Sequence, residues 1–253
     1  MNNMDLFSYL LGKKSSGGGG DFSEYFQIPY SVRVNREYIG GWADFVVKLP
    51  KMEKTFSNCS YLFQGYKGET IDLSGYETDN FANCDNMFAY CYNLKTIDIS
   101  HFDLSRCGIT KSMFNGCGAL ETLLLPSNFC ENSSSVNGGS MFYGCSKLVS
   151  APLFNTSHFG DMSQMFRMCS NLENLPLYNT SNVESMSYMF ANCLKLTDTS
   201  IDNILQMCIN ATKYSGEKKL TALSFTASMA SASRIQALPH YQDFINAGWT
   251  IGY

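Results

Sequence analysis

The pattern Met-Phe-x-x-Cys-x-x-Leu is written five times: MFAYCYNL from Met87, MFNGCGAL from Met113, MFYGCSKL from Met141, MFRMCSNL from Met165 and MFANCLKL from Met189. The steps between copies are 26, 28, 24 and 24 residues, and a degenerate sixth copy, TFSNCSYL, starts at Thr55. No other feature restricts the fold as much. A unit this short cannot bury its own apolar face, so neighbouring units must stack and lend each other a wall.

Each copy divides into two halves. In SNVESMSYMFANC the apolar residues Met186, Met189, Phe190 and Cys193 fall at i, i+3, i+4 and i+7, which predicts one stripe of a short helix. Met162, Met165, Phe166 and Cys169 repeat the stripe one copy earlier, and Ser181 with Glu184 has the spacing of a capping box. Val183, Phe159 and Phe81 precede these segments at matching places. After each repeat leucine, apolar residues stand three and five positions on: Ile97 and Ile99, Leu123 and Leu125, Ala151 and Leu153, Leu175 and Leu177. Ile71 and Leu73 follow the same rule, and the alternation predicts a short strand with these residues inward. The expected fold is an α/β solenoid, a right-handed leucine-rich-repeat-like array of short parallel strands and short helices with N- and C-terminal caps. In it Phe114, Phe142, Phe166 and Phe190 form one buried column.

Five of the ten cysteines, Cys91, Cys117, Cys145, Cys169 and Cys193, occupy one fixed repeat position. Such regularity marks a small buried filler that stays reduced, not a disulfide framework. No Cys-x-x-Cys pair appears, and His101, His158 and His240 lack neighbours at ligand spacing, so no metal site is expected. No Gly-x-Ser-x-Gly elbow or Walker loop appears either. Asp161 and Glu184 fall at the predicted helix starts, where the macrodipole favours anions, so neither is read as a catalytic acid. The sequons at Asn155 and Asn179 fall at equivalent turns of successive copies and read as stacked turn residues. The formal charge of −4 argues against a nucleic-acid footprint and against an anionic membrane surface. No apolar run reaches membrane-spanning length, so no membrane insertion is expected. In MNNMDLFSYLLGKK the basic residues follow the apolar run, which is the wrong order for a secretory signal.

The ends depart from the repeat, as the ends of an array must. Residues 1–14 form a short apolar leader in which Leu6, Phe7 and Leu10 are candidate docking-peg residues, and 15–20 is a Gly-rich linker. Residues 21–54 read as an N-terminal cap, with Trp42, Phe45, Val46 and Leu49 on one helical face. Residues 55–199 form the repeat array and 200–253 the degenerate C-terminal repeats and cap. There SIDNILQMCINAT reads as a helix capped by Ser200 with Ile204, Leu205 and Cys208 inward, and KKLTALSF as a strand. SASRIQALPHYQDFINAG reads as a helix broken near Pro239 and ended by Gly248, and WTIGY as a last strand.

The stretch LPLYNTSNVESMSYMFANCLKL resembles the BspA-like leucine-rich repeat family, and LKTIDISHFDLS matches the Leu-Asp-Leu-Ser half of that family's unit. The resemblance covers Thr55 to Leu196. It implies an extended solenoid engaged in surface adhesion or recognition, with no catalytic residues and no cofactor. The apolar leader with its glycine run, and the ending AGWTIGY, resemble phage- and prophage-encoded members.

The strand positions between the inward pairs are expected to face solvent: Asp98 and Ser100, Leu124 and Pro126, Pro152 and Phe154, Pro176 and Tyr178. Leu124, Phe154 and Tyr178 would form an apolar-aromatic stripe across copies, suited to protein or glycan contact. The expected function is a non-catalytic recognition or adhesion module. It binds a protein or a cell-surface glycan on this face, and sits on a virion or a bacterial cell surface. The alternative is a structural virion component, a decoration or tail-associated protein, whose face packs on other subunits.

Overall fold

A computed structural model of the chain describes residues 59–61, 63–73, 81–220 and 230–252. The apolar leader with Leu6, Phe7 and Leu10, the glycine run, the expected N-terminal cap and most of KKLTALSF lie outside the described residues.

The repeat segments from 84 to 193 are chains of turns, not helices. In the copy from Met162 to Cys169 the amides alternate. Those of Met165, Arg167 and Cys169 donate three residues back, to the carbonyls of Met162, Gln164 and Phe166, at 3.1–3.2 Å. Those of Met162, Gln164, Phe166 and Met168 donate across to Ser185, Ser187, Met189 and Ala191 of the next copy, at 2.7–3.0 Å. An α-helix would close every amide within its own segment and leave none for the neighbour. The alternation requires two left-handed residues per copy, at Gln164 (φ 57°) and Met168 (φ 66°). The same two places are left-handed at Asn86 and Tyr90, Ser112 and Gly116, Ser140 and Gly144, and Tyr188 and Asn192. For L-residues this backbone costs about 1–2 kcal/mol each, a cost offset by the ladder between copies. At Gly116 the left-handed backbone is joined by a close approach: an added Cβ would stand 2.9 Å from Cδ1 of Tyr90.

The burial pattern expected of a helix nevertheless holds. Met162, Met165, Phe166 and Cys169 are fully buried, as are Met186, Met189, Phe190 and Cys193. Turns closed at i+3 with the chain bent between them bring i, i+3, i+4 and i+7 to one side, as a helix does. The capping box is absent with its helix. The Ser181 amide donates to Asn179 Oδ1 at 3.0 Å and the Glu184 amide to Gly160 O at 2.8 Å.

Phenylalanines of successive copies stack as expected. Ring centroids are 5.7 Å apart for Phe88–Phe114, 5.5 Å for Phe114–Phe142, 5.3 Å for Phe142–Phe166 and 6.3 Å for Phe166–Phe190, with planes within 9° of parallel. Phe63 extends the column, 5.0 Å from Phe88. That corrects the register of the degenerate copy: Phe63 and Tyr66 stand where Phe88 and Cys91 stand, and Cys59 matches Cys84.

The strand half exists but is fragmentary. β1 (Thr96–Asp98) pairs in parallel with β2 (Thr122–Leu124), Ile97 opposite Leu123. A second parallel row runs ahead of the turns: β3 (Val136–Asn137) pairs with β4 (Phe159–Asp161), flanked by bridges Asn83–Ile109, Ile109–Asn137 and Asp161–Ser185. Phe81, Val136, Phe159 and Val183 are buried beneath this row.

After the last copy α1 (Asp198–Asn210) lies against the stack, with Ile204, Leu205 and Cys208 buried as expected. Its cap is Thr197, whose side chain accepts from the Ser200 amide; Ser200 is not the cap. Ser200 is instead buried and welds α1 to the last copies, its Oγ accepting from Leu175 N at 2.9 Å and donating to Glu173 O at 2.7 Å. The following segment breaks at Pro239 as expected, into α2 (Ala232–Gln236) and α3 (Tyr241–Asn246). Gly248 ends α3 at φ 85°, and Thr250 bridges Lys219. Phe244 and Trp249 complete the core at this end.

Candidate functional site

All ten cysteines are free and buried. The repeat cysteines do more than fill space. The thiols of Cys91, Cys117, Cys145, Cys169 and Cys193 donate to the carbonyls of Phe63, Phe88, Phe114, Phe142 and Phe166 in the preceding copy, at 3.0–3.3 Å. Each of those carbonyls already accepts an amide within its own copy, so the thiol fills the second lone pair. A short side chain with one donor reaches that oxygen within the turn. Burial pushes the thiols of Cys145 and Cys193 up from the ordinary 9.0 to about 12, and those of Cys59 and Cys208 also upward. A raised thiol is a poor nucleophile at neutral pH.

The same shifts set a pH dependence. Below pH 9 these thiols are protonated both folded and unfolded, and their contribution to stability is fully present. Between about 9 and about 12 the unfolded chain has released protons that the folded chain still holds, so stability falls as pH rises. Cys145 and Cys193 should each remove about 1.4 kcal/mol per pH unit across that window. Urea unfolding should give one stability from pH 7 to 8 and a steep decline above 9. Replacing Cys145 with alanine should make that decline shallower.

The expected strand-face residues do not form one surface. Asp98 and Ser100 are exposed but engaged with each other: Asp98 Oδ1 accepts from the Ser100 amide at 3.0 Å and from its hydroxyl at 2.7 Å. These bonds, the hydroxyl's first, hold the Asp98 carboxyl below the usual carboxylate range. Leu124 faces solvent, 47% exposed, while Pro126 is buried. Pro152 and Pro176 are half-buried.

Phe154 and Tyr178 turn inward. Phe154 packs against the core, with its ring 5.2 Å from Phe129 and 5.3 Å from Tyr178. Tyr178 is 1% exposed, stacked 6.0 Å from Phe166, and its hydroxyl donates to Pro152 O at 2.6 Å. The residues expected inside, Leu153 and Leu177, are outside at 77% and 43% exposed. Proline explains the exchange. Ala151–Pro152 and Leu175–Pro176 form no strand beyond the single bridge Ser150–Asn174, because proline has no amide for a ladder. Inward residues there are three apart, Ala151 with Phe154 and Leu175 with Tyr178, as in a threefold polyproline helix; in β1 they are two apart, Ile97 with Ile99. The two prolines in the sequence carried that signal.

The Asn-Thr-Ser turns behave as read. Asn155 Oδ1 accepts from Ser157 N and Asn179 Oδ1 from Ser181 N, both at 3.0 Å. The threonines between them are buried and reach onward, Thr156 Oγ1 to Asn179 O at 2.9 Å and Thr180 Oγ1 to Met207 O at 2.6 Å. Asp161 Oδ1 likewise caps a turn, accepting from Ser163 N at 2.8 Å, with no helix start beside it. His101 Nε2 bonds Leu73 O at 2.8 Å, and His240 Nδ1 bonds Asp202 at 2.7 Å.

What reaches solvent in quantity is therefore aliphatic on the strand segments and mostly tyrosine on the turn segments, joined there by Met168 and Leu194. Leu124, Leu153 and Leu177 belong to the first; Tyr90, Tyr92, Met168 and Tyr188 belong to the second.

Residues 35–151 and 130–219 match the model of a family described as "Mycoplasma protein of unknown function, DUF285". Among solved structures, the chain is similar to a leucine-rich repeat protein from Bacteroides ovatus ATCC 8483, at 19% identity and a TM-score of 0.35. The match takes in 53% of this chain and 37% of that one, so the chain spans little more than a third of the relative's length. No curated protein matches the chain.

Proposed function

Since the chain belongs to the DUF285 family, and its copies lie side by side on one phenylalanine column, we propose that it is a non-catalytic solenoid that recognises a protein partner on a bacterial cell surface or a virion. One observation carries the choice of face. Leu153 is 77% exposed, Leu177 holds the equivalent place one copy on at 43%, and Leu124 is 47% exposed. Aliphatic side chains repeated outward on successive copies gain free energy only when a partner covers them. Their chemistry favours a protein over a glycan on the strand segments, because the aromatic rings expected there, Phe154 and Tyr178, have turned into the core.

The full chain, labelled and applied to intact cells, tests this reading. The double variant Leu153→Ser/Leu177→Ser should lower cell binding at least tenfold, which corresponds to about 1.4 kcal/mol, with the melting temperature unchanged or raised. Unchanged binding would mean that the strand segments are not the recognition face.

A further inference from the structure

We propose that Arg167, clamped between Tyr143 and Tyr188, binds the carboxylate of an acidic sugar. Three consecutive copies build the clamp. The guanidinium carbon of Arg167 lies 5.7 Å from the Tyr143 ring centroid and 5.6 Å from that of Tyr188, within cation–π range of both. Nη1 donates to Gln164 Oε1 at 3.2 Å, and buried Nε has no partner. A guanidinium has five N–H donors, and among the described residues no carboxylate pairs with this one. Two rings therefore desolvate and immobilise a planar cation whose charge the protein leaves unmatched. Nε is sealed from solvent, so a ligand meets the Nη1–Nη2 edge, and that edge, held in place by the two rings, suits a carboxylate.

The surroundings point to a sugar. Gly144 follows Tyr143, and a Cβ built on Gly144 would meet nothing nearer than the Gly116 backbone, at 3.7 Å. Gly116 in turn lies under Tyr90 and Tyr92, whose rings are 6.0 Å apart and 39% and 56% exposed. The turn segments thus offer an open floor at Gly144, walled on one side by the tyrosines that cover Gly116, with the arginine clamp beyond Tyr143. Tyrosine faces suit the apolar C–H face of a pyranose, and the fork suits its carboxylate. An extended acidic peptide would need free backbone amides to pair with, and here alternate turn amides are already bonded to the next copy.

The site lies on the turn segments, so it stands or falls separately from the leucine row. Calorimetric titration of the full chain with sialyllactose and with lactose tests it. The acidic sugar should bind at least tenfold more tightly than the neutral one. Arg167→Gln and Arg167→Lys should each weaken sialyllactose at least tenfold, the lysine because it keeps the charge without the fork. Tyr188→Leu, exposed and outside the core, should weaken it as well if Arg167→Gln fails to fold. Equal affinity for the two sugars, binding of neither, or equally tight binding of a tetraglutamate peptide would overturn the proposal.

Discussion

Phe142→Ala should lower the unfolding free energy by about 3–5 kcal/mol, the range for removing a fully buried phenylalanine, and the loss should sit at its upper end. Phe142 has a ring on each side, Phe114 at 5.5 Å and Phe166 at 5.3 Å, and Phe154 leans on its edge at 6.4 Å. Each aromatic pair adds about 0.5–1.5 kcal/mol beyond buried area. The amides and carbonyls of the same turn hold copies together, so the cavity has no easy way to collapse: Phe142 N donates to Met165 O and Phe142 O accepts the Cys169 thiol. Phe190, with one ring neighbour at 6.3 Å, should lose less on the same change. Urea unfolding of the two variants gives the comparison. Equal losses, or a loss below about 0.5 kcal/mol at Phe142, as at an ordinary surface site, would show that the column is not the spine of the stack.

How much of this was legible beforehand depends on which physical signal each residue carried. The phenylalanine column and the buried cysteines were legible, because a fixed position in a tandem repeat must see the same neighbours in every copy. The helix was not, because Met162, Met165, Phe166 and Cys169 give one apolar stripe whether the chain is helical or a series of i+3 turns. What distinguishes the two is the left-handed residue before each Met-Phe and the one after it, and Gln164 and Met168 do not advertise that conformation. The glycines at 116 and 144 did, since a regular glycine two residues after Met-Phe is a poor helix former and a good left-handed one. The strand-face set was half legible. Leu124 follows the twofold alternation of β2, but Pro152 and Pro176 reset the phase in their own copies, and Phe154 and Tyr178 moved inside with it. The Arg167 clamp had no sequence signal, because Tyr143, Arg167 and Tyr188 meet only after three copies are in register.

Tyr178 offers the sharpest single contrast. Were it an exposed member of a binding stripe, Tyr178→Ser would change stability by less than about 0.5 kcal/mol. Buried on Phe166 and beside Phe154, it should instead cost about 3–5 kcal/mol, or about 6–20 °C in Tm for a chain of this size. Tyr178→Phe separates the two parts of that cost. It keeps the ring against Phe166 and removes only the 2.6 Å bond to Pro152 O, so it should lose about 1 kcal/mol. That carbonyl sits where proline has already removed a ladder partner, which is why a side chain from the next copy supplies the donor. Burial holds the Tyr178 phenol above its ordinary value, so its ionisation should be missing from an alkaline absorbance titration of the folded protein. A serine variant as stable as the parent would place the tyrosine back on the surface and restore the aromatic stripe. A destabilised one removes Tyr178 from any list of contact residues, because lost binding in that variant would report lost folding.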